Sequence, residues 1–157
     1  MLQFSEGFYI LSRAAVGTVR RVLRRLTSLF RRTPAPVRSP DVLRISYAPH
    51  PDGDGDPGEV VWTWVPYEDD PAQGKDRPVV LFGRRNGGLV GVALTSRGGG
   101  VHEVLVGTGA WDPQRRPSYA KLDRILDVDG DRVRRVGGVL DQRRFDDLVV
   151  ALRGYYS

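Results

Sequence analysis

From Glu59 onward the chain breaks into short apolar runs. They are "EVVWTWV" (59–65), "PVVLFGR" (78–84), "GLVGVALTS" (88–96), "HEVLVG" (102–107), "SYAKLDRILDV" (118–128) and "RVRRVGGVL" (132–140). They are rich in Val, Leu, Ile, Trp and Tyr, side chains that suit a pleated surface, and too short to be helices. Gly, Pro, Asn and Asp punctuate them, as hairpin connections require. Five or six short strands with no helix between them predict a mainly β fold, an antiparallel sheet curled into a small barrel. One helix closes the chain. Asp141 is the expected N-cap before "QRRFDDLVVALRG", which puts Phe145, Leu148, Val149 and Leu152 on one face and ends at Gly154. No internal repeat is apparent.

The N-terminal quarter has a different composition. Residues 1–39 hold eight Arg against one acid, Glu6, whereas the rest of the chain has sixteen Lys and Arg against eighteen Asp and Glu. The formal net charge of +5 therefore belongs to the arm. Between residues 8 and 30 apolar side chains recur at three- and four-residue spacing, at 8, 11, 15, 19, 22, 26 and 29 or 30, with arginines over the remainder. This predicts a basic amphipathic helix. Such a helix fits an anionic membrane surface, nucleic-acid phosphates, a partner protein, or packing on its own domain. It is too charged to span a bilayer, which needs roughly 20 apolar residues, and its arginines follow the apolar stretch rather than precede it as in a secretory signal.

Pro34, Pro36 and Pro40 stop the helix, and a loop rich in Asp, Gly and Pro follows at "PHPDGDGDPGE". The "DGDGD" run lacks the downstream Glu spacing of a calcium loop and reads as a turn. The expected organisation is an arm over 1–33, a linker over 34–56 and a barrel domain over 57–157.

With no cysteine and only His50 and His102, thiolate or His-rich metal chemistry is not expected. Carboxylates, arginines and hydroxyls remain, and three places concentrate them. In Asp76-Arg77-Pro78 the proline, which cannot donate to a sheet ladder, is expected at the start of a strand or on an edge, with Arg77 at its mouth. There Arg77 is either a phosphate-holding fork or a surface charge paired with Asp76 or Glu68. In "ALTSR" an apolar strand ends in Thr95, Ser96 and Arg97 before three glycines. The hydroxyls could donate to a phosphate oxygen or simply form a turn. In "SYAKLDR" strand alternation sends Tyr119, Lys121 and Asp123 to one face and Ser118, Ala120, Leu122 and Arg124 to the other. The first row offers a stacking ring, a phosphate contact and a general base, or else a solvated sheet face.

The order of these pieces resembles the MazF/PemK/Kid family of toxin endoribonucleases. The matching segments are Gly58-Glu59-Val60-Val61-Trp62, Arg77-Pro78-Val79-Val80, Leu94-Thr95-Ser96 and Ser118-Tyr119-Ala120-Lys121-Leu122-Asp123-Arg124. The long form "WVPYEDDPAQGKDRPVVL", with "GTGAWD" and "VLDQRRFDDL", is similar to an actinobacterial branch. The resemblance covers roughly residues 57–153. It implies an SH3-like barrel that forms a homodimer in the cytoplasm, cleaves single-stranded RNA rather than DNA without metal or other cofactor, and is held inactive by an antitoxin protein. It places catalysis on Arg77 and Thr95, with Ser96 as a neighbour, and a further contribution on Lys121 and Asp123, Lys121 standing where Kid-like members carry an Arg. The expected site is thus Arg77, Thr95 and Asp123 as catalytic residues and Ser96 and Lys121 around the substrate, to which the residue chemistry above adds Tyr119 and Arg97. It says nothing of the arm, for which membrane or partner-protein contact through residues 8–30 stays open. A reading from another class is a non-catalytic barrel, a binding or scaffold module positioned by that arm.

Overall fold

The computed structural model describes residues 41–157. Seven strands form one antiparallel sheet: β1 (Leu43–Ile45), β2 (Glu59–Pro66), β3 (Gly74–Arg85), β4 (Gly88–Thr95), β5 (Glu103–Gly107), β6 (Ser118–Val128) and β7 (Arg135–Val139). One helix, α1 (Gln142–Tyr156), follows. The spatial order is β5-β6-β4-β3-β2-β7, with β1 added beside β3. This is the mainly β fold expected, with its C-terminal helix. The expected N-terminal helix and the arm of residues 1–33 lie outside the described residues.

The apolar runs alternate less strictly than a half-exposed sheet would, because both faces are buried. One face carries Val60, Val80, Phe82, Val90, Val92 and Leu94, packed against Phe145, Leu148, Val149 and Leu152 of α1. The other joins Val61, Val65, Val79, Leu81, Leu89, Ala93, Leu126 and Val128 in a second core. Among the described residues no helix packs on that second core, and the strands curl around it. β3 and β4 meet through Asn86-Gly87, both at positive φ (51° and 83°), with Arg85 opposite Gly88. Two left-handed residues define the turn whose twist matches a two-residue hairpin, which explains an Asn-Gly pair here.

The helix begins as expected. Asp141 Oδ1 accepts from the Arg143 and Arg144 amides at 3.1 and 3.4 Å. It does not stop at Gly154 but continues to Tyr156. Its apolar face is already complete at Leu152, so nothing requires a left-handed cap at the glycine.

The expected linker over 34–56 is, in its described part, folded onto the barrel. Leu43–Ile45 pairs with Arg85–Gly83. The Tyr47 hydroxyl donates to the Leu140 carbonyl at 2.9 Å, and its ring lies 5.1 Å from that of Phe145. A three-residue strand gives too short a pattern to stand out between prolines. The "DGDGD" run is a turn, in which Asp52 Oδ1 accepts from the Asp54 amide at 3.0 Å and Gly53 takes a φ of 99°.

Glu59, the first residue of β2, is fully buried. Its Oε2 accepts from the Asp56 amide at 3.1 Å, while Oε1 has no partner among the described residues. Loss of solvation pushes its pKa up, against the lowering effect of the Asp56 amide. Because the folded-state pKa lies above the unfolded one, any stabilisation from this shift is fully present below the unfolded pKa. It is lost as pH rises through the folded value. Glu59→Gln, neutral at every pH, should therefore gain stability relative to wild type as pH is raised from 4 to 8. Urea unfolding across that range checks this, and a difference independent of pH would contradict it.

Candidate active site

Arg77 does not stand at the mouth of its strand, as the proline led us to expect. β3 starts three residues earlier, at Gly74, because β2 runs on to Pro66 and pairs with it residue by residue, including Thr63 with Arg77 and Trp62 with Pro78. On its other side β3 pairs with β4 only as far as Val79 opposite Ala93. Pro78, with no N–H to give, lies just past the last rung of that ladder. The proline thus marks the end of the pairing with β4 rather than the start of the strand, and Arg77 is half-buried beyond it.

Neither expected ion pair of Arg77 forms. Asp76 instead receives Arg134 Nε at 2.9 Å, and among the described residues no carboxylate lies within ion-pair distance of the Arg77 guanidinium. Thr95 ends β4, and its Oγ1 accepts from the Arg97 amide at 3.1 Å. One acceptor site of the hydroxyl is thereby filled, and its proton remains available to a further group.

Arg77 forms part of the wall of two hollows. The first, about 360 Å³, has Trp62, Pro78, Leu94 and Trp111 among its lining and Thr95, Ser96 and Arg97 at its rim. The second, about 190 Å³, contains Lys121, Asp123 and Arg124 together with Glu68 and Asp69 of the β2–β3 connection. The sequence-predicted residues are therefore divided: Thr95, Ser96 and Arg97 border one hollow, Lys121 and Asp123 the other, and Arg77 both. Tyr119 borders neither. It pairs with Thr95 across the β4–β6 ladder and is half-buried, with Gly98 so close to its ring that a Cβ there would stand 2.5 Å from ring atoms.

A family-level comparison matches residues 56–155 to the PemK-like, MazF-like toxin of type II toxin-antitoxin systems. The chain belongs to this toxin family. No curated protein matches it. The match takes in every strand from β2 to β7 and nearly all of α1, leaving out β1. Membership places the chain in a class of toxin endoribonucleases, whose substrate is RNA and whose partner is an antitoxin.

In this toxin three features of the site had no clear signal in the sequence. The first is Arg124. Between Leu94 opposite Ala120 and Val92 opposite Ile125, four β6 residues face the single residue Ala93, a wide bulge. It breaks the alternation that sent Arg124 away from Lys121 and Asp123, and turns it into their hollow. There its Nη1 donates to the Pro66 carbonyl at 2.7 Å. Lys121 Nζ and Asp123 Oδ2 are 3.8 Å apart in the same hollow.

The second is the tryptophan pair. Trp62 Nε1 donates to the Trp111 carbonyl at 3.1 Å, and the Arg135 guanidinium lies 4.9 Å from the Trp62 ring centre. The third is Asp112, nearly buried and gripped by Arg116 at 2.8 Å, which together with the Gln114 amide holds its pKa below the usual carboxylate range. Both of its oxygens are occupied, so Asp112 orders the rim and is not free to take a proton. The toxin also has a hollow of about 620 Å³ between β5 and β7, lined largely by glycines and apolar side chains such as Leu105 and Val139. Its described lining brings one cation, Arg144, and one hydroxyl, Thr108, against the several that the two Arg77 hollows gather, so chemistry rather than volume marks the site.

Proposed function

We propose that this toxin is a metal-independent endoribonuclease that breaks single-stranded RNA by attack of a ribose 2′-hydroxyl on the adjacent phosphate. The observation that carries the reading is Arg77, a guanidinium with no carboxylate partner among the described residues, set between a hydroxyl-bearing rim and a carboxylate-bearing hollow. In-line attack requires a base for the 2′-hydroxyl and donors for the oxygens on which charge develops. Asp123 supplies the base, Arg77 a forked pair of donors, and Thr95 a hydroxyl proton aimed at a non-bridging or leaving oxygen. Lys121 and Arg97 add positive charge for neighbouring phosphates. DNA lacks the nucleophile and would not be cut.

The active form we propose is a cytoplasmic homodimer held in check by an antitoxin. Among the described residues no helix is long and apolar enough to cross a membrane. Expression of the chain alone should arrest growth with breakage of cellular RNA, and the Arg77→Ala variant should not. Equal arrest by both proteins would sink the assignment of the site.

A further inference from the structure

The division of the site around Arg77 carries information about direction. In an in-line displacement the attacking and departing oxygens lie on opposite sides of phosphorus. A phosphate held by Arg77 therefore has its 2′-oxygen toward one hollow and its 5′-oxygen toward the other. The two hollows are chemically unlike. The one with Lys121, Asp123 and Arg124 holds a carboxylate near a cation at 3.8 Å, suited to taking a proton. In the one with Thr95 the carboxylates are held more closely, Asp76 Oδ1 by Arg134 Nε at 2.9 Å and Asp112 by Arg116 Nε at 2.8 Å, whereas the Thr95 hydroxyl can donate and Trp62 and Trp111 contribute aromatic surface.

We infer that RNA crosses Arg77 with fixed polarity: the nucleotide bearing the attacking 2′-hydroxyl sits in the Lys121–Asp123 hollow, and the nucleotide 3′ to the broken bond sits in the Trp62 hollow. The inference rests on the endoribonuclease reading and adds the strand direction and a stacking position. In the step itself the 2′-oxygen–phosphorus bond forms as the phosphorus–5′-oxygen bond breaks. The 2′-hydroxyl proton passes to Asp123, and the 5′-oxygen departs hydrogen-bonded to Thr95 and takes its proton from water. The base of the 3′ nucleotide stacks on the face of Trp62 away from the Arg135 guanidinium, which lies 4.9 Å from the ring centre. The indole N–H is already committed to the Trp111 carbonyl, so ring surface rather than a polar edge is left for recognition.

The test uses the full chain and a DNA strand carrying one ribonucleotide, so that only one bond can break. Removing the base 3′ to that bond should raise KM about tenfold in wild type. The same loss should nearly vanish in Trp62→Ala, while removing the 5′ base should cost both proteins equally. A second measurement needs no variant. In an all-deoxy strand bound to wild type, 2-aminopurine should be quenched at the 3′ position and stay bright at the 5′ position. Coupling or quenching on the 5′ side, or on neither side, overturns the polarity while leaving the nuclease reading intact. A wild-type protein that neither binds nor cuts RNA overturns both.

Discussion

Arg77→Ala is expected to lower the rate of RNA cleavage about 100- to 1,000-fold, the range typical of removing one donor to a developing oxyanion. The effect should fall on turnover and leave stability nearly untouched. Arg77 is half-buried at the end of the β3–β4 ladder and has no carboxylate partner among the described residues, so its removal strands no opposite charge. Arg77→Lys should restore only part of the activity, because an ammonium keeps the charge but not the planar fork. Single-turnover assays beside urea unfolding of the same preparations separate the two effects. A variant that cleaves like wild type, or one that loses activity only because it unfolds, would remove Arg77 from the chemistry.

The second large effect concerns stability. Trp111→Ala should cost about 3–5 kcal/mol, the usual price of emptying a large aromatic site in a core. Trp111 is 3% exposed, its Nε1 donates to Ser118 Oγ at 3.0 Å, and its carbonyl takes the Trp62 indole N–H. Its ring and backbone also occupy room left by two glycines. A Cβ on Gly109 would lie 2.1 Å from the ring, and one on Gly137 would lie 2.8 Å from Trp111 Cβ. The side chain thereby ties the β5–β6 connection to β6 and β7, while the backbone carbonyl, which an alanine would keep, holds β2 through Trp62; Trp111 also lines the Trp62 hollow. Activity should fall with stability, in contrast to Arg77→Ala. Denaturant unfolding gives the number, and a loss under about 1 kcal/mol would show that the neighbours close over the gap.

Much of this fold could be read from local pattern, because six of its strands and its helix are runs whose residue types agree with their final state. The helix cap at Asp141 and its buried face at Phe145, Leu148, Val149 and Leu152 follow the sequence spacing directly. What local pattern could not give was set by partners distant in the chain. β3 extends back to Gly74 because β2 is long enough to pair with it, through polar residues that have no β preference of their own. β1 exists because β3 offers an edge at Gly83–Arg85.

The site divides in the same way. Arg77, Thr95 and Asp123 were visible as a motif order, and alternation correctly put Lys121 beside Asp123. Arg124 was assigned to the wrong face because a bulge shifts every later side chain, and nothing in "AKLDRIL" announces one. Tyr119 is half-buried, with Gly98 packed against its ring, and lines neither hollow. The aromatic surface in the first hollow comes from Trp62 and Trp111, which are far apart in sequence and meet only through the sheet.

The most direct test of the central claim is the chemistry of the cut ends. Single-stranded RNA incubated with purified protein in excess EDTA, and analysed by mass spectrometry, should yield fragments ending in a 2′,3′-cyclic phosphate and beginning with a 5′-hydroxyl. A 2′-deoxy substitution at the cut nucleotide should abolish the reaction. Fragments with 3′-hydroxyl and 5′-phosphate ends, or cleavage that appears only when a divalent metal is restored, would contradict the account.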